Sequence, residues 1–333
     1  MVIATECFPE QTARPSAGAA ADTRRIAWDD IAFEVPANWE LAAYHYARGD
    51  LVQLSLEDEL AVRMEVEWIR PQSRRDIRRM MQSYQQSARK LTSRAATSGP
   101  VEGLKEGWSG AIYTIRESAV GYTSGSLRDV EHVMVTASFC CPEDSLICFI
   151  KLHFLPGDHE SPEGLLQLIS ASFRHFRDTP MIPWELYDIE FDLPRHFVLE
   201  RTHFDIGAKL MVFRWKHCRL HLWHFSCADM FLKEGTTVQE WVTGYLNGFG
   251  GIKGPVFSLG PDGEIQWRRR ARYGLAHREE ASRWCRNYRI GYRRDLERNQ
   301  LVVWVYNFRS PRDLAMLPAT PASRHGMEEQ VAS

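Results

Sequence analysis

A chain of 333 residues, 44% apolar and 25% charged, is too long for one ordinary core and has the make-up of a globular protein with two domains. No apolar run approaches the roughly 20 residues that a bilayer-crossing helix needs, so no membrane span is expected. The net charge of −2 lacks the basic excess typical of nucleic-acid modules.

The two halves differ in charge. Residues 1–180 hold 19 Lys+Arg against 25 Asp+Glu, and residues 181–333 hold 22 against 18, which gives −6 and +4. Seven cysteines, an odd number that includes the adjacent Cys140 and Cys141, make poor material for a disulfide framework and point to a reducing, cytoplasmic setting.

In chain order, residues 1–25 are rich in Ala, Pro, Thr and Ser without periodicity and read as a mobile leader. Ile31, Phe33 and Val35 alternate with Ala32 and Glu34 before Pro36, the pattern of a half-buried strand. Residues 51–56 and 61–69 form the next strand pair, with Val62, Met64, Val66 and Trp68 on one face. Ser73-Arg-Arg-Asp76 has the form of a capping box, and Ile77, Met80, Met81, Tyr84, Ala88 and Leu91 follow at helical spacing. After the break at Ser98-Gly-Pro-Val101 come strands at 108–115, 133–140 and 146–154. A helix then opens at Ser161-Pro162, with Leu165, Ile169, Phe173 and Phe176 as its stripe.

The pattern then starts again. Ile189-Glu-Phe-Asp-Leu-Pro194 repeats Ile31-Ala-Phe-Glu-Val-Pro36, Phe197 follows as Trp39 does, and Gly207 falls on Gly49, all at an offset of 158. The chain therefore divides into a leader (1–25), a first domain (26–180), a second (181–318) and a mobile tail (319–333). Thr237-Val-Gln-Glu240 is another capping box, and Gly254-Pro-Val256 echoes Gly99-Pro-Val101. The last helix, begun at Ser310-Pro311, meets Pro318 and Pro321 almost at once. Its truncation predicts one sheet face of the second domain left uncovered.

Three groups of residues invite a chemical reading. His217, Cys218, His221, His224 and Cys227 look like metal ligands. The offset places His221 outward at the position of Arg63 and His224 inward at that of Val66, and two side chains on opposite faces of a strand cannot share an ion. No metal or cofactor is expected. Arg268, Arg270, Arg272, Arg283, Arg289 and Arg293, interleaved with Trp267, Tyr273, Trp284, Tyr288 and Tyr292 across 267–294, form a candidate surface for nucleic acid, another polyanion or an acidic partner. The helix carrying Arg74, Arg75, Arg78, Arg79, Arg89, Lys90 and Arg94 reads as a solvated face. Gly248-Phe-Gly-Gly251 lacks the Lys-Ser/Thr of a phosphate loop, and neither GxSxG nor HExxH occurs, so no enzyme is expected.

The order of a Pro-ended strand followed by Trp39, paired strands, an amphipathic helix, a Gly-Pro break, further strands and a helix ending in Ser172-Phe173-Arg174 resembles the PsbP-like and DcrB-like proteins. That group includes a Ran-binding nuclear import factor and the small chaperones of type VI secretion effectors. The resemblance implies an α+β fold, with an antiparallel sheet between helices (an α/β/α sandwich) present here in two tandem copies. It also implies binding rather than catalysis. In the chaperone branch a sheet face or groove shelters apolar helical segments of a client. The expected function is thus an intracellular adaptor or chaperone for an acidic or apolar-helix client, bound in the cleft between the domains or on the exposed sheet of the second.

Overall fold

The computed structural model describes residues 22–47, 51–70, 73–120, 127–141, 145–158, 160–176, 178–186, 189–205, 207–232, 235–249, 252, 255–269, 285, 287–317 and 330–332. The first half runs β1 (Thr23–Trp28), β2 (Ile31–Pro36), β3 (Glu40–Ala47), β4 (Leu51–Glu57), β5 (Val62–Ile69), α1 (Arg74–Arg94), β6 (Ala95–Pro100), β7 (Trp108–Val120), β8 (Leu127–Cys141), β9 (Leu146–Phe154), α2 (Pro162–Ser172) and β10 (Arg174–His175). The second runs β11 (Met181–Leu186), β12 (Ile189–Pro194), β13 (Val198–Asp205), β14 (Ala208–Trp215), β15 (Cys218–Ser226), α3 (Ala228–Phe231), α4 (Val238–Gly248), β16 (Pro255–Leu259), β17 (Ile265–Arg269), β18 (Asn287–Asp295), β19 (Gln300–Phe308), α5 (Pro311–Leu314) and β20 (Gln330–Ala332).

The offset of 158 carries β1, β2 and β3 onto β11, β12 and β13 end for end. It also carries a bulge: the irregularity between Leu41 and Ala43 in β3 recurs between Leu199 and Arg201 in β13. Such a bulge bends and twists a strand, so the copies share curvature as well as order. Gly207, at φ +78°, makes the tight turn into β14, a conformation that side chains resist.

The expected α/β/α sandwich is overturned. The protein is mostly strand, arranged in four antiparallel sheets with few helices. A seven-stranded sheet has the order β3-β4-β5-β9-β8-β7-β6, a six-stranded sheet β13-β14-β15-β19-β18-β20, and β16-β17 form a hairpin. The fourth sheet, β10-β2-β1-β11-β12, is built from both halves, which meet where Ala27 pairs with Glu185. Sequence periodicity marked the apolar face of β5 from Met64 to Trp68 but not at its start, where the register shifts and Val62 is 39% exposed while Arg63 is buried; nor did it give the layer lying on each face, much of which is strand. The leader boundary also shifts, because β1 begins at Thr23, and Gln330–Ala332 of the segment read as a tail lies along β18.

One apolar core runs through both halves. It joins Leu54, Val66 and Ile150 of the seven-stranded sheet, Trp28, Phe33, Trp184 and Phe191 of the shared sheet, and Phe213, Leu222 and Trp304 of the six-stranded sheet. Trp184 stands edge-on to Trp28 at 5.2 Å and to Phe213 at 4.8 Å. A second core fills the other face of the six-stranded sheet, where Val212, Trp223, Phe225 and Val303 meet Val242 and Leu246 of α4 and Phe257 and Ile265 of the hairpin. The face expected to lie open beside the short α5 is therefore covered on both sides. In β18, Gly291 is required by contact: a Cβ there would lie 2.1 Å from the Trp304 ring.

At one end of the seven-stranded sheet Arg63 is only 5% exposed. It donates to Asp58 at 2.6 Å and grips Asp158 through both terminal nitrogens. Removing one partner of a buried ion pair strands the others. Arg63→Ala is expected to cost about 3 kcal/mol of unfolding free energy in urea melts at pH 7, whereas a loss below about 0.5 kcal/mol would place the triad with weak surface pairs.

Candidate functional site

The face of the seven-stranded sheet turned away from the shared core carries Glu65 and Glu67 on β5, Phe149, Lys151 and His153 on β9, and Thr136 and Ser138 on β8. Register sets Glu65 opposite Lys151, Glu67 opposite Phe149, and Thr136 opposite Lys151. Helix α1 lies over this face. Ser73 caps it by accepting from the Asp76 N–H at 3.2 Å, which satisfies one of the orphan donors of the first turn.

None of the described side chains of α1 is buried, although its apolar stripe points at the sheet. Met80, Tyr84, Ala88 and Leu91 recur every three or four residues and roof a cavity of about 320 Å³, floored by Glu65, Glu67, Thr136, Phe149 and Lys151. That volume falls in the range of small-ligand pockets, or of one or two large side chains. Tyr84 stacks on Phe149 at 4.7 Å, 24° from parallel. On the outer side of the helix Arg75, Arg78, Arg79, Arg89, Lys90 and Arg94 are exposed, so the groove has an apolar roof and a basic rim.

Glu65 and Lys151 on the floor are committed to partners. Glu65 pairs with His153 at 2.9 Å and accepts from Lys151 at 3.3 Å. The His153 hydrogen bond, with Lys151, outweighs burial and holds the carboxyl down at about 2. Burial pushes the Tyr84 hydroxyl up to about 12. One group stays ionised and the other protonated across neutral pH, so neither is tuned for proton transfer near 7.

Three of the six arginines singled out in the sequence lie among the described residues. Arg268 is exposed on β17 in the separate hairpin, while Arg289 and Arg293, four residues apart, share a face of β18 and are half-buried. Arg270, Arg272 and Arg283 lie outside the described residues. Burial lowers the Arg293 pKa, with nearby Asp295 and Glu190 opposing it. Glu190, on β12 of the shared sheet, is close enough for its charge to act on Arg293.

The histidines are corrected in one respect. His221 and His224 do alternate across β15, but His221, expected outside, is 4% exposed and His224 1%. His221 is covered because α4 and the hairpin close over its face, and it stacks on Trp223 at 5.7 Å. Among the described residues no group of three or more His, Cys, Asp or Glu is placed to hold a metal ion.

The groove itself was not read from the sequence. The only local signal was the Met80-Met81-Tyr84 stripe facing a strand of alternating carboxylates, and pairing it with β9 and β8 needed the sheet order. Among the described residues no helix is long and apolar enough to cross a membrane. No protein-family model matches the chain, and no curated protein matches it.

Proposed function

We propose that this chain is a non-catalytic adaptor or chaperone of the cytoplasm that holds an apolar segment of another protein in the groove between α1 and the seven-stranded sheet. The observation that carries this is the seating of α1: its apolar stripe roofs a cavity with Tyr84, Leu91 and Phe149 half-buried in it. Large, half-buried aromatic and Met side chains around a concavity are the usual anchors of binding surfaces. The region between the halves is filled by the shared core, which supports placing the bound segment in this groove. The basic rim favours a segment with acidic flanks. The resemblance to the PsbP-like and DcrB-like proteins also supports binding rather than catalysis.

A labelled synthetic helix of leucine and alanine with glutamate at both ends is the probe. Ala88→Trp, which fills the cavity from the roof, is expected to weaken its binding about tenfold or more with the melting temperature little changed. Equal binding by the variant, no binding by the native chain, or turnover of a substrate by the pure protein would each defeat the reading.

A further inference from the structure

The six-stranded sheet buries two cysteines that are far apart in sequence. Cys218 opens β15 and Cys285 precedes β18; they are 3% and 2% exposed. Their sulfurs are 3.8 Å apart, and the Cys285 sulfur is also 3.1 Å from the His217 carbonyl oxygen. Asn307, 1% exposed, fixes the backbone there by donating to the carbonyls of Cys285 and Asn287 at 3.3 Å. A disulfide needs sulfurs about 2.05 Å apart, so closure asks for an approach within reach of side-chain rotation.

No other described cysteines are placed in this way. Cys140 and Cys141 are neighbours on one strand and project to opposite faces. Cys148 is buried and Cys227 exposed, and both are free.

We propose that Cys218 and Cys285 are a modification site, a dithiol that a hydroperoxide closes to a disulfide. The thiolate of Cys218 attacks the peroxide, the O–O bond breaks, and the departing oxygen leaves as water or alcohol after taking a proton. The resulting Cys218 sulfenic acid is attacked by the Cys285 sulfur; the S–O bond breaks, the S–S bond forms, and the thiol proton leaves with the hydroxyl as water. Two thiols are oxidised and one hydroperoxide is reduced. Cys218 is the attacking sulfur because the hydrogen bond from Cys285 draws its thiol down to about 7, which raises its thiolate fraction. A hydroperoxide also suits a buried pair because it is little larger than water. The loop so closed, 67 residues in separation, contains α3, α4, β16 and β17, the whole layer covering the second core. The cross-link would tie the start of β15 to the entry of β18, on the sheet face that packs in the first core, and so fix both ends of the segment that carries that layer.

The full chain is treated with hydrogen peroxide, digested without reductant and mapped by mass spectrometry. The expected result is a peptide pair joining Cys218 to Cys285 that is reversed by reductant, with a melting temperature raised by about 5 °C or more. Both are lost in Cys285→Ser and in Cys218→Ala. If either variant fails to fold, the mapping of the native chain decides alone. Oxidation of the exposed Cys227 while Cys218 and Cys285 stay thiols, or their conversion to sulfinic acids without a cross-link, overturns the proposal. A cross-link without a rise in melting temperature overturns the stabilising role of the bond.

Discussion

Trp184→Ala is expected to lower the stability of the entire chain by about 3–5 kcal/mol, the range for deleting a large buried aromatic side chain. Trp184 is 2% exposed on β11, between Trp28 of the first half and Phe191 and Phe213 of the second. Its loss opens a cavity where the shared sheet packs on the six-stranded sheet, and the aromatic contacts around it add to the cost. Because one core spans both halves, the damage should not stay in one of them. Hydrogen exchange provides the check: amides of β9 in one half and β19 in the other should both lose protection by more than about 100-fold. Unchanged protection in β9 beside a collapse in β19 would mean that the halves unfold independently.

Acid is expected to destabilise the protein through His221 by about 1.4 kcal/mol per pH unit between the ordinary histidine pKa and the folded one. Burial, reinforced by the charges of Arg201 and Arg219, drives the folded pKa down to about 3 from 6.5. The sign follows from proton counting. Between these values the unfolded chain binds a proton that the folded chain refuses, so stability is complete above pH 6.5 and declines as pH falls toward 3. His221→Leu keeps a similar volume and removes a ring whose Nδ1 has no hydrogen-bond partner. The variant should match or exceed the native stability at pH 7.5 and show a shallower loss between pH 6 and 4. Urea melts across that range measure it, and parallel slopes for the two proteins would show that His221 titrates normally.

Glu65 shows the opposite side of the same linkage. Held at about 2 by His153 and Lys151, it contributes stability above the ordinary carboxyl range that is lost only as pH falls toward 2. The two groups therefore act in overlapping windows, His221 from pH 6.5 down toward 3 and Glu65 from pH 4.5 down toward 2. An acid titration of His221→Leu should retain the lower phase.

Much of the local structure could be read from the residues alone. The repeat, its offset, the alternation in β5 and the cap residues Ser73, Thr237 and Ser310 are short-range features, set by pleat, helical period and orphan backbone groups. The apolar face of β5 from Met64 to Trp68 is legible for the same reason. What lies on that face is not, since it depends on contacts between distant segments. Two Pro-ended hairpins joined into one sheet instead of remaining in separate sandwiches, and that union decided the fold class and merged the cores. His221 became a buried group because α4 and a hairpin closed over its strand, although its repeat partner Arg63 sits at a charged end of the sheet. The groove under α1 exists because β9 lies between β5 and β8, and the Cys218–Cys285 contact because β18 and β15 flank β19. Sequence by itself determined the repeat and most of the alternation of apolar side chains; tertiary structure decided what those side chains meet, and whether exceptions such as Arg63 and His221 are buried, because packing partners are chosen by shape and sheet order across the whole chain.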